Sequence, residues 1–93
     1  MKHYIVVKFD NSVNVKEILN PIKELFEKAL NISGVEKLEI YTSSIDLPNR
    51  YDLMIKMTLS QSALTEFDNS EIHKKWKEKF GEYIINKTIF DCE

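Results

Sequence analysis

The chain reads as an α+β domain, and three patterns carry that expectation. Four stretches rich in β-branched and aromatic residues alternate at period two. Apolar residues at spacings of three and four mark helices between them. Their order is strand, helix, strand, strand, helix, strand.

Residues 3–9, HYIVVKF, form the first expected strand, closed by the polar DNS. Period two puts His3, Ile5, Val7 and Phe9 on one face and Tyr4, Val6 and Lys8 on the other. Both faces carry apolar residues, so both are expected to be covered. Val15, Ile18, Leu19, Ile22, Leu25, Phe26, Ala29 and Leu30 then trace one stripe of a long amphipathic helix. Pro21 lies inside it and removes a backbone donor, so the helix must kink there or restart with Asn20 as cap. The stripe stays in phase across Pro21, which favours the kink. NISGV ends this helix, with Gly34 supplying a left-handed cap.

A second strand is expected at 35–42, where Leu38 and Ile40 alternate with Glu39 and Tyr41. TSSIDLPNR is a polar turn. YDLMIKMTL is a third strand, with Leu53, Ile55, Met57 and Leu59 on one face. Ser60 or Ser62 can cap a short helix through Ala63, Leu64 and Phe67; Asn69 or Ser70 can cap the next, which runs to Gly81. YIINKTIFD is the fourth strand. The order is βαββαβ with the second helix broken in two. This is the ferredoxin-like split βαβ, a four-stranded antiparallel sheet with helices on one face.

At 93 residues there is room for one core, so a single domain over 1–93 is expected. Composition is globular, 43% hydrophobic with two glycines and two prolines. No apolar run approaches the roughly 18 residues that span a bilayer. The opening reads as a strand and lacks the features of a signal peptide. A net charge of -2 without a basic block argues against a dedicated nucleic-acid protein. The single cysteine, Cys92, cannot staple its own chain, which makes the cytoplasm the expected compartment.

The other sheet face carries Tyr4, Val6 and Lys8, then Asp52, Met54, Lys56 and Thr58, with Phe90 expected beside them. Apolar and charged residues are mixed, as where two copies meet sheet to sheet with a partly wet rim. A solvated sheet face is the competing reading.

The stretches KHYIVVKF, GVEKLEI, YDLMIKMTL, SEIHKKW and IFDCE occur in that order over residues 2–93. Together they resemble the stress-responsive dimeric α/β-barrel domain, abbreviated Dabb. The resemblance implies a homodimer packed sheet to sheet as a dimeric α/β barrel, with ligands held between sheet and helices. It includes a plant polyketide cyclase, in whose branch a histidine and a tyrosine carry aldol chemistry. The histidine corresponds to His73. The tyrosine, six residues earlier, is Phe67 here, a ring with no proton to donate. A further histidine of that branch falls at Leu53, and the opening histidine is retained as His3.

His73 is the best chemical candidate. It shares a helix face with Trp76 and Phe80, and an imidazole suits general-base work. The alternative is a histidine that only steadies the start of its helix. His3 faces the helices and could assist, or be a satisfied core-edge residue; Asp91 could orient it or face solvent. Phe67, Trp76, Leu53, Ile55, Ile22 and Phe26 are expected around a cavity between sheet and helices, with plain core packing as the alternative. Lys74, Lys75, Lys77 and Lys79 alternate with Glu71, Glu78 and Glu82 as a solvated face with local ion pairs. No ligand spacing indicates a metal, and no cofactor motif is present.

Three functions follow as expectations. The first is a homodimer binding a small apolar or aromatic ligand. The second is a cofactor-independent cyclase or isomerase with His73 as base and His3 assisting. The third is a structural assembly module.

Overall fold

A computed structural model describes residues 1–93. The elements are β1 (Lys2–Phe9), α1 (Val15–Glu27), β2 (Val35–Thr42), β3 (Leu53–Leu59), α2 (Gln61–Asp68), α3 (Glu71–Phe80) and β4 (Ile84–Cys92). The strands form one antiparallel sheet in the order β2-β3-β1-β4. This is the ferredoxin-like arrangement that the element order predicts, with β1 at the centre and β2 and β4 as edges.

Burial follows the pleat. On β1, His3, Ile5, Val7 and Phe9 are buried while the residues between them stay partly open. On β3, Leu53, Ile55, Met57 and Leu59 are buried in the same way. The helices lie against this face and bury Ile22, Leu25 and Phe26 from α1, Ala63 and Phe67 from α2, and Trp76 and Phe80 from α3. Aromatic rings knit the helices together. Phe26 meets Trp76 edge-on at 5.1 Å and Phe67 at 5.9 Å. β4 is different: from Ile85 to Asp91 every residue is exposed.

Several boundaries depart from the sequence reading. α1 runs unbroken across Pro21, capped by Asn14, and does not restart at Asn20. It tightens into a 3₁₀ turn over Lys28–Asn31, so Gly34 is not its cap. Gly34 instead turns the chain into β2 with φ +96°. Of the alternatives, Ser60 caps α2, accepting from the Ala63 N–H, and Ser70 caps α3, accepting from the His73 N–H. Asp52 lies just before β3: its carboxylate accepts from the Phe9 N–H at 2.8 Å, and its own N–H donates to the Val7 carbonyl. The α3 lysines make no ion pair with Glu71, Glu78 or Glu82, so that face is solvated without the local pairs expected of it.

Gly34 joins two elements. Its carbonyl accepts from the Ser60 N–H at 3.0 Å, and a Cβ added to it would lie 2.6 Å from Ser60 Oγ and 3.0 Å from Ala63 Cβ. Both the left-handed backbone and the crowding reject a side chain. Gly34→Ala should therefore lower stability by at least about 1 kcal/mol in urea unfolding. An unchanged midpoint would refute this account.

Candidate functional site

Two histidines far apart in the sequence come close enough for their charges to interact. His3 is 5% exposed on β1, and the register places it directly opposite Asp91 on β4. Its Nδ1 stands 2.5 Å from Asp91 Oδ1. For a neutral ring, this contact puts the proton on Nδ1 and leaves a lone pair on Nε2. Asp91 thus orients His3, one of the two roles open to it from the sequence.

His73 occupies the first turn of α3, where the Ser70 cap fixes its backbone. Its ring is half-buried and stands edge-on to Phe67, with centroids 5.5 Å apart. Neither ring nitrogen bonds another group of the chain, so both are open to solvent or a ligand. The pKa is lowered from the ordinary 6.5, first by burial and then by the ammonium of Lys77. Lys87 and His3 push it the same way, and Asp68 opposes them. The neutral ring is a competent proton acceptor at neutral pH.

The six residues expected around a cavity are brought together, but as packing. Phe67, Ile55, Ile22 and Phe26 are each 0% exposed, and Leu53 and Trp76 2%. Of the six, Trp76 also borders a hollow on the helix side. This hollow is a groove of about 350 Å³ between α3 and β4, lined by Trp76, Lys77, Gly81, Ile84, Ile85, Asn86 and Lys87. A larger hollow of about 630 Å³ lies at the far end of β1, beside the start of α1. Several of its polar side chains are already engaged: Asp52 with Phe9, Asp10 with Ser12, and Lys8 with the Arg50 carbonyl. It is therefore a weaker candidate despite its size.

Ile85, Asn86, Lys87 and Lys77 were missed as site residues. Lys77 passes for one more surface lysine of α3. Lys87 was legible in part, since counting back from Asp91 by twos gives Ile89 and Lys87 on the face of His3. No three His, Cys, Asp or Glu side chains converge as metal ligands, and Cys92 is a free thiol.

On the opposite face, Tyr4, Val6, Met54 and Lys56 are partly exposed and Phe90 is 59% exposed. Tyr4 and Phe90 pair across β1 and β4 with centroids 6.3 Å apart, and the Lys56 ammonium lies 5.9 Å above the Tyr4 ring. Glu39 lies 3.6 Å from Lys56 and accepts from the Tyr41 hydroxyl, which lowers the Glu39 pKa and raises that of Tyr41.

A layered α+β unit with a one-sided helical cover defines the class, and solved structures share it. A dimeric ferredoxin-like protein of unknown function from Thermobifida fusca matches with TM-score 0.79 and 9% identity, over 96% of this chain and 85% of that one. A protein of Arabidopsis thaliana matches with TM-score 0.78 and 18% identity, over 99% and 92%. A Dabb family protein with a ferredoxin-like fold from Mesorhizobium loti matches with TM-score 0.74 and 16% identity, over 99% and 93%. The Dabb resemblance in the sequence is thus met by the fold. No protein-family model and no curated protein matches the chain. No helix is long and apolar enough to cross a membrane.

The lowered His73 pKa has a consequence for stability. As pH falls, the unfolded chain binds this proton first, so stability is fully present above 6.5 and is lost as pH drops through the lower folded value. Urea unfolding between pH 7 and pH 5 should show a steeper loss in the wild type than in His73→Gln. Parallel profiles would mean that the ring is not perturbed in the folded state.

Proposed function

We propose that this chain is a Dabb-type homodimer that holds a small apolar or aromatic molecule between its sheet and its helices, with His73 at the mouth of the site. The observation that carries the reading is the uncovered inner side of β4. Ile89 is paired opposite buried Ile5 and yet is 46% exposed, and Ile85 is 59% exposed. Ile89 on the helix side of the sheet and Ile85 in the groove beside Trp76 thus remain open, which favours an apolar occupant. The ligand would rest on Ile84 and Ile85 at the edge of Trp76, with Phe67 buried behind it. Phe26, Ile22, Leu53 and Ile55 would form the packed floor behind them.

The dimer would use Tyr4, Val6, Met54, Lys56 and Phe90. Two aromatic rings and a methionine on an open sheet face, with Lys56 already paired to Glu39, suit contact with a second copy more than permanent hydration. The Thermobifida fusca neighbour is described as dimeric, which supports this reading. Met54→Asp would place an unpaired charge at the centre of that contact. In analytical ultracentrifugation it should weaken self-association about tenfold or more. A wild type that is monomeric at micromolar concentration would sink the dimer.

A second reading is catalytic. His73 is neutral, half-buried and unpartnered, and His3 is oriented by Asp91 nearby, as cofactor-independent cyclisation or isomerisation would require of a base and its helper. Against it stands Phe67, where the cyclase branch has a phenol. Two measurements separate the readings. Small aromatic molecules should perturb the emission of Trp76, the single tryptophan, in wild type and in His73→Ala alike. Turnover of a polyketide-like substrate, if seen, should vanish in His73→Ala. Unperturbed emission across the panel would remove the binding reading.

A further inference from the structure

Strand register decides what β4 shows to the helices. Asp91 lies opposite His3, Ile89 opposite Ile5 and Lys87 opposite Val7, and all three partners on β1 are buried. Lys87 therefore projects on the helix side of the sheet, in a row that is otherwise apolar on β1 and β3. Across the groove stands Lys77, one helical turn beyond His73 on α3. Neither ammonium is paired with a carboxylate. Asp91, the nearest acid of the strand row, is engaged by His3. The groove that the two lysines line also carries the apolar Ile84 and Ile85 and an edge of the buried Trp76.

We infer that the groove between α3 and β4 selects an amphipathic carboxylate, its aromatic or alkyl body lying on Ile84 and Ile85 at the edge of Trp76 and its carboxylate between Lys77 and Lys87. The inference rests on the ligand-binding reading above and deepens it, since an apolar body alone would leave both ammonium groups without a counterion. Lysine fits this role, because a compact charge on a flexible stem follows a carboxylate without fixing one geometry. The field of the two groups also reaches His73, where both oppose protonation. A bound carboxylate would offset them and ease protonation of that ring.

The test compares two probes of the same shape, 2-naphthoate and the neutral 2-naphthalenemethanol, titrated against Trp76 emission at low salt. The carboxylate should bind the wild type about tenfold more tightly than the alcohol. Lys77→Gln and Lys87→Gln should each weaken naphthoate about threefold and leave the alcohol unchanged. Lys74→Gln, on α3 but outside the groove, should change neither. Equal affinity for the two probes would overturn the anion preference while leaving the apolar pocket standing. An equal loss in Lys74→Gln would overturn it by reducing the effect to surface charge. Binding of neither probe would overturn the inference and the binding reading together.

Discussion

The structure depends on the strict two-residue alternation of β1. This strand is the centre of the sheet, hydrogen-bonded to β3 on one side and β4 on the other. Its inward residues His3, Ile5, Val7 and Phe9 meet the helices, and its outward residues Tyr4, Val6 and Lys8 form part of the other face. A slip of one residue would exchange the two sets. It would bury Lys8 under α1, expose Phe9, and separate His3 from Asp91. Core, outer face and candidate site all inherit their positions from this register.

The helical cover is narrower than the sheet. α1, α2 and α3 place their apolar side chains over β1 and β3, where burial is nearly complete, and stop short of β4. The groove is the result of that mismatch, since an edge strand whose inner residues lack helical partners is left partly open. Ile84, Ile85 and Lys87 line it beside the packed Trp76. Rigid packing on one side and an open strand on the other is an arrangement that can admit a ligand without disturbing the core.

Electrostatics and packing act together on His73. The Ser70 cap sets its backbone, Phe67 sets its ring, and burial with two nearby ammonium groups favours the uncharged form. His3 is controlled otherwise, by a direct carboxylate contact in a nearly closed environment. The two imidazoles thus have different surroundings and different access to solvent.

Local pattern by itself determined the element order, the inward row of β1 and β3, the broken second helix and the one-sided helical cover. These depend on period and on turn chemistry within a few residues, so they are written along the chain. The continuation of α1 through Pro21 was legible too, because its apolar stripe stays in phase across the proline. The link between Gly34 and the cap of α2 joins residues far apart in the chain and has no local signature. His3 and Asp91 meet only because β1 and β4 pair, across 88 residues of sequence. Whether Phe26, Phe67 and Trp76 enclose a cavity or close against each other was equally beyond local pattern, because the gap between packed rings is set by the distance between layers. Lys77 and Lys87 became a pair for the same reason: helix period and strand parity aim each of them, and only the docking of α3 on the sheet makes them face one groove.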